Sequence, residues 1–183
     1  MLIESISGVR GIVPDDLDAS VISCYVRAFH SLCGEGAVIV GRDTRVSGSE
    51  LTSAVIETFL GLGRDVLDCG ICPTPTVQFA AEDTDAAGGL VVTASHNPEE
   101  WNGLKFIARD GCFLNEDSFG NLMRFAKEGK RETAGDSGNY VRFDQAVRRH
   151  IQRVLAIDWI DVDKIKRGNF KVAVDAVNGA AAE

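Results

Sequence analysis

Ser95 is the residue in this chain whose type and neighbours best suit it to chemistry. A short apolar run, Leu90 to Val92, reads as a buried strand, and the chain then breaks into Thr93-Ala94-Ser95-His96-Asn97-Pro98. Asn97 can cap a helical turn, Pro98 suits the first helical position, and Glu99 and Glu100 match the positive end of a helix dipole. The pattern predicts a serine hydroxyl at a strand tip with backbone N–H groups directed at it, a site for a phosphate that is bound or covalently attached. Asn102-Gly103 predicts a tight turn into a second strand, Leu104 to Ala108, which would carry Lys105 back toward the loop. Near the start, Ser7-Gly8-Val9-Arg10-Gly11 predicts a glycine-flanked loop whose guanidinium could take a phosphate bidentately.

Each of these residues also has a plainer reading. Ser95 and Asn97 can satisfy turn backbone, Arg10 can form a surface ion pair, and Lys105 can be a solvent-facing lysine on an amphipathic strand. A hydrolase serine fits less well. The G-x-S-x-G elbow is missing, with Thr93 and Asn97 where the glycines would stand. His96 is also a poor base for its own neighbour, because adjacent side chains on an extended segment point to opposite sides.

The elements that would position these groups follow a strand–helix alternation. Asp18 or Ser20 can cap a helix to about Leu32, with Val21, Ile22, Tyr25 and Phe29 along one side. Ala37 to Val40 reads as a buried strand ending in Gly41-Arg42-Asp43-Thr44-Arg45, and Ser47-Gly48-Ser49-Glu50 reads as a capping box opening a helix to about Leu62. A strand around Val66-Leu67, a proline-punctuated loop and a helix around Thr76 to Ala81 precede the strand at Leu90 to Val92. Right-handed crossovers then place the loops 41–48, 69–76 and 93–98 on one rim of a parallel sheet. Arg42, Asp43 and Arg45 are read as a network bracing the serine loop, with direct phosphate contact as the other reading.

Asp110-Gly111 predicts a hairpin to a short strand at Cys112 to Leu114, an antiparallel edge. Asn115 should cap a helix through about Lys127, 130–139 should be a surface loop, and Asp144 to Leu155 a last helix with His150 facing solvent. Phe170 to Val174 reads as a further buried strand. The expected fold class is α/β, a mixed and mostly parallel sheet sandwiched between helices, with residues 1–155 as one domain and 156–183 as a linker and the first strand of a second, truncated domain.

Composition narrows the function classes. The 183 residues carry 19 basic and 27 acidic side chains, a net charge of −8, which argues against general nucleic-acid or membrane-surface binding. No stretch approaches the roughly 20 apolar residues of a membrane span, and the N-terminus lacks a signal pattern, so the expected location is cytoplasmic. Five cysteines do not suggest a disulfide scaffold. Cys69-Gly70-Ile71-Cys72 forms a C-x-x-C, but Pro73 and Pro75 interrupt a thioredoxin-like arrangement and no second pair completes a zinc site, so strand-end packing is the expectation.

Thr93 to Pro98 followed by Asn102-Gly103-Leu104-Lys105-Phe106 resembles the serine loop of the α-D-phosphohexomutases, the family of phosphoglucomutase, phosphomannomutase and phosphoglucosamine mutase. SGVRG, GRDTRVSG, the PTPT segment and VAVDAVNGA agree with it in order and spacing. The resemblance implies a phosphohexomutase N-terminal domain in which Ser95, carried as phosphoserine, moves a phosphoryl group between the C1 and C6 hydroxyls of a hexose through a 1,6-bisphosphate. It implies Arg10, His96 and Lys105 as catalytic candidates, with Asn97 beside them on the substrate. It also implies Mg2+ on the Ser95 phosphate, with its other ligands in downstream domains that complete the enzyme around a phosphosugar, and an inactive isolated fragment. A non-catalytic module binding phosphosugars or nucleotides on the same sheet, or a redox protein using Cys69 and Cys72, would be the alternatives.

Overall fold

The structure is a computed structural model and describes residues 1–129 and 136–182. Seven strands form one mixed sheet: β1 (Ile3–Ser5), β2 (Gly8–Ile12), β3 (Val38–Arg42), β4 (Val66–Ile71), β5 (Gly88–Val92), β6 (Trp101–Ile107) and β7 (Tyr140–Arg142), in the order β1-β2-β6-β5-β3-β4-β7. β5, β3, β4 and β7 run parallel, and β6, β2 and β1 continue the sheet antiparallel. Among the described residues six helices accompany it: α1 (Ala19–His30), α2 (Gly48–Gly61), α3 (Thr74–Asp83), α4 (Glu116–Glu128), α5 (Ala146–Leu155) and α6 (Val162–Arg167).

Two apolar layers hold the helices to the sheet. Ile22, Val26 and Phe29 of α1, Leu51, Val55 and Phe59 of α2 and Leu122 of α4 pack on Val38, Val40, Leu90, Val92, Leu104 and Phe106. On the opposite face, Val77, Ala80 and Ala81 of α3 and Ala146 of α5 cover Ile39, Val91 and Ile107. The central strands β3 and β5 are therefore apolar on both sides, as buried parallel strands are. Asp18 caps α1 and Asn115 caps α4 through their side chains, as their sequence positions predict.

Several local expectations are corrected. The SGVRG segment is strand β2, with Val9 opposite Leu104 and Arg10 opposite Gly103, because the two edges of β6 need partners on both sides. Asn102-Gly103 lies inside β6 and makes no turn. The Asn102 side chain is fully buried, donates to Ser47 Oγ at 2.9 Å and accepts the Gly103 N–H, so it is spent inward. The turn falls earlier, where the Trp101 N–H reaches the Pro98 carbonyl at 3.1 Å. Ser47 makes no side-chain cap on α2, since its hydroxyl is the acceptor for Asn102. The hairpin at Asp110-Gly111 reduces to an isolated bridge between Ile107 and Phe113.

His150 does not face open solvent. Its ring stacks on Phe79 at 5.4 Å, and its Nδ1 is 3.1 Å from Thr76 Oγ1, joining α5 to α3. Of the loop expected over 130–139, residues 130–135 lie outside the described residues, and 136–139 lead into β7. Phe170, Val172 and Val174 are 71%, 79% and 82% exposed with no ladder partner among the described residues, so the strand expected at Phe170 to Val174 is not formed there. An apolar alternation becomes a strand only when a neighbouring strand accepts its backbone bonds. No helix among the described residues is long and apolar enough to cross a membrane.

Candidate functional site

β5 ends at Val92, and Thr93 continues its register by donating its N–H to the Gly103 carbonyl at 2.9 Å. Ala94 is fully buried and anchors the loop, and Ser95 then turns outward at φ +57°, exposed to solvent. A left-handed conformation is unfavourable for a residue with a side chain, by roughly 1–2 kcal/mol. The surrounding hydrogen bonds hold it there.

Arg45 is the centre of that restraint. One of its terminal nitrogens donates to the Pro98 and Trp101 carbonyls at 2.6 and 3.0 Å, and the other to the Ser95 and Asn97 carbonyls at 3.0 and 2.6 Å. Its Nε pairs with Asp43 Oδ2 at 3.2 Å. Asp43 in turn accepts the Thr93 hydroxyl at 2.6 Å, and Thr93 Oγ1 accepts the Ser95 N–H at 3.0 Å. The guanidinium thus gathers the carbonyl oxygens of the loop, groups that would repel an anion, onto itself. Asp43 and Arg45 are the brace expected from the sequence. Arg42 contributes a bond to the Asp43 carbonyl at 3.1 Å.

The expected helical turn behind Ser95 is absent. The segment 93–100 is two successive turns, the second closed by the Trp101 N–H on the Pro98 carbonyl, while the Asn97 N–H goes to the Ala94 carbonyl and the Ser95 N–H to Thr93 Oγ1. Those two amides are consumed inside the loop, so an anion at Ser95 would be met chiefly by side chains. Pro98 and the glutamates follow a turn because the chain must reverse into β6 within a few residues, too few for a helix.

Arg10 supplies a second cation beside the loop. Its place opposite Gly103 directs it over the loop, where one nitrogen donates to Asn97 Oδ1 at 3.1 Å and the other to Ser7 Oγ at 3.3 Å. Gly103 is needed for this approach: a Cβ there would lie 2.5 Å from the Val9 carbonyl oxygen and 3.0 Å from Arg10 Cγ. Lys105, opposite Val91, shares that face of the sheet, and its ammonium sits 5.6 Å from the centre of the Phe113 ring. Burial lowers its pKa first, and the Arg10 charge lowers it further, with Asp43 opposing. His96 Nδ1 is 3.5 Å from Ser95 Oγ, at the outer limit of a hydrogen bond. Ser95, His96, Asn97 and Arg10 are therefore brought together by direct contacts, whereas Lys105 is tied to the group through the field of Arg10 and Asp43.

Thr93 and Ser7 belong to the site, and the sequence did not single them out. Thr93 carried one signal: a polar residue in register with Val91 at the end of a buried strand. The three strand-end loops do share one rim. A cleft of about 340 Å³ is lined by Asp43 and Arg45, by Pro73 and Thr74, and by Thr93 and Ser95, and the tail reaches it where the Asn178 carbonyl accepts from Thr44 Oγ1 at 2.9 Å.

Cys69 and Cys72 are both buried, and the Cys69 thiol is held well above its ordinary pKa by its hydrogen bond to Cys72 and by burial. A reactive thiolate needs the opposite shift, so this pair packs the strand end. Among the described residues no group of three or more His, Cys, Asp or Glu side chains could hold a metal ion.

Comparison with known proteins agrees with this geometry. The family model described as phosphoglucomutase/phosphomannomutase, alpha/beta/alpha domain I, matches residues 3–132. A phosphoglucomutase/phosphomannomutase of Thermococcus kodakarensis is 37% identical over 94% of this chain and 39% of its own length. A phosphoglucosamine/phosphogalactosamine mutase of Sulfurisphaera tokodaii is 32% identical over 96% of this chain and 39% of its own. Among solved structures, a phosphoglucomutase/phosphomannomutase family protein of Burkholderia thailandensis superposes with a TM-score of 0.69 at 32% identity, over 84% of this chain and 36% of that one. The chain spans about two fifths of the length of the curated relatives it matches. A seven-stranded mixed sheet, a braced serine loop and a family match over residues 3–132 lead to one statement: the chain belongs to the phosphoglucomutase/phosphomannomutase family and contains its α/β/α domain I.

Proposed function

We propose that this chain carries the phosphoserine of a phosphohexomutase, with Ser95 as the residue that holds and donates the travelling phosphoryl group. The observation that supports this reading is the exposed Ser95 hydroxyl at φ +57°, in a loop whose carbonyls are drawn onto Arg45 while Arg10 stands on its other side. A phosphoserine carries about −1.5 to −2 charges, and such a site favours it by removing negative dipoles and adding a fixed cation.

In the transfer, the bond between Ser95 Oγ and phosphorus breaks, and the sugar hydroxyl forms the new oxygen–phosphorus bond and loses its proton. Lys105 is the base this reading favours, because its lowered pKa makes the neutral amine more accessible. Arg10 stays protonated and stabilises charge, and His96 and Asn97 contact the phosphoryl group or the sugar. The sugar recognition and the Mg2+ ligands are assigned to other parts of a full-length protein, and 156–182 to the approach to them. Turnover is accordingly expected from the full-length enzyme and not from these 183 residues.

The test is to incubate the full-length protein that contains this chain with glucose 1,6-bisphosphate and Mg2+ and to map phosphate by mass spectrometry. One phosphoryl group on Ser95, absent from Ser95→Ala, is expected. Equal incorporation in Ser95→Ala, or reversible binding with Ser95 unmodified, would refute the reading. Interconversion of hexose 1- and 6-phosphates by the chain alone would refute the assignment of turnover to the longer protein.

A further inference from the structure

Lys105 is half-buried, and among the described residues its amine makes no hydrogen bond and no ion pair. The polar interaction it does make is with an aromatic ring: Nζ stands over Phe113, 5.6 Å from the ring centre. That lies within the range of about 6 Å over which the face of a ring attracts a cation.

The strand register accounts for the contact. Successive residues of β6 face opposite sides of the sheet, so Gly103, Lys105 and Ile107 share one face and Leu104 and Phe106 the other. β2 pairs with β6 only from Trp101 to Leu104. Past that point the chain returning after Gly111 takes over the same edge: Ile107 bridges to Phe113, and the Ala108 N–H donates to the Cys112 carbonyl at 2.7 Å. Leu114, the next residue, packs into the layer of Leu104 and Phe106. Phe113 is thereby left on the face of Ile107 and Lys105, where it is 40% exposed and contributes little to the core.

The forces on the amine have different signs. Burial disfavours its charge, Arg10 on β2 repels it, and Asp43 in the loop after β3 attracts it. Arg109 and Asp110, on the segment that carries Phe113, are committed to other partners, Arg109 to Asp85 and Asp110 to the Cys112 N–H. The ring therefore offsets part of what burial and Arg10 do. It attracts the ammonium and is indifferent to the neutral amine.

We propose that Phe113 is a positioning residue for Lys105: its ring holds the protonated amine at the edge of β6, and so fixes where the amine waits and how readily it gives up its proton. The catalytic consequence rests on the reading of Lys105 as the base, whereas the contact itself does not.

Phe113→Leu separates the two effects of the ring, because it keeps an apolar side chain over the lysine and removes the π face. The Lys105 titration can be followed by NMR in the full-length protein that contains this chain, labelled with 13C at lysine and assigned by the signal missing from Lys105→Met. It should fall by about half a pH unit in Phe113→Leu, a threefold weaker hold on the proton, on the scale of one exposed cation–π contact. Phe113→Tyr keeps the π face and can place its hydroxyl in solvent, so it should leave the titration where it is. The acid limb of kcat/KM against pH, measured for hexose phosphate interconversion, should move down by the same half unit in Phe113→Leu and stay in place in Phe113→Tyr. A Lys105 titration that is unchanged or raised in Phe113→Leu, or that falls as far in Phe113→Tyr, would overturn the proposal. A titration that moves while the pH profile stays would uphold the contact and refute Lys105 as the base, so the two readings fail separately.

Discussion

Replacing Arg45 by Met should loosen the serine loop without unfolding the domain. The side chain makes four carbonyl hydrogen bonds, of which those to Ser95 and Pro98 reach solvent and those to Asn97 and Trp101 are partly buried. Water can replace the exposed pair, so they contribute little. The partly buried pair are charge-assisted, at roughly 1.5 kcal/mol each, about 3 kcal/mol together. Releasing the ordered side chain returns about 1 kcal/mol of entropy, leaving a net cost near 2 kcal/mol. That is about a 30-fold increase in loop opening. Hydrogen exchange in the native state reads it directly, because the Ser95 and Asn97 amides are both bonded within the loop. Protection at those two amides should fall about 30-fold in Arg45→Met. The β5 and β6 amides should keep theirs. Unchanged protection at Ser95 and Asn97 would refute the clamp, and a uniform loss across the sheet would show that Arg45 supports the whole domain instead.

Other consequences follow from the same geometry. Gly103→Ala should destabilise the domain by at least about 2 kcal/mol in urea unfolding, because the new Cβ meets the Val9 and Thr93 carbonyl oxygens at 2.5 and 3.0 Å. Asn102→Leu should cost about 2–3 kcal/mol by the same measurement, since it buries a larger apolar group where Ser47 Oγ and the Gly103 N–H lose their partner. For Lys105, the lowered folded-state pKa means that the folded protein releases this proton before the unfolded chain does. Its contribution to stability therefore rises with pH, from the folded pKa up to the ordinary value of 10.5. Stability curves of the chain and of Lys105→Met should diverge in that window, and Arg10→Gln should move the Lys105 side-chain titration toward its ordinary range in NMR. Thiol labelling in native buffer should modify exposed Cys112 first, with Cys33, whose pKa burial pushes up to about 12, and the Cys69 and Cys72 pair protected until unfolding.

Much of this was legible in the sequence wherever one element carried its own signal. The buried runs of β3 and β5, the caps Asp18 and Asn115 and the rim shared by three loops follow from hydrophobic period, capping chemistry and the hand of parallel crossovers. Ser95 and the brace of Asp43 and Arg45 were legible too, as residue types at a strand end. What the sequence misjudged were segments whose role is set by a partner far along the chain. SGVRG and Asn102-Gly103 have the residue types of loops, yet they pair with each other across about 90 residues because the edge of β5 needs β6 and β6 needs β2. Asn97 to Glu100 have the types of a helix start, but the reversal into β6 leaves no length for one. Phe170 to Val174 have the alternation of a strand with no strand beside them.

Residue order alone therefore singled out the candidate side chains, a serine, two cations and a bracing ion pair, because those depend on side-chain type. Only the tertiary structure decided where they point. The left-handed turn at Ser95, the inward carbonyls on Arg45 and the approach of Arg10 over Gly103 are hydrogen-bond solutions between strands distant in sequence, and no local preference encodes them.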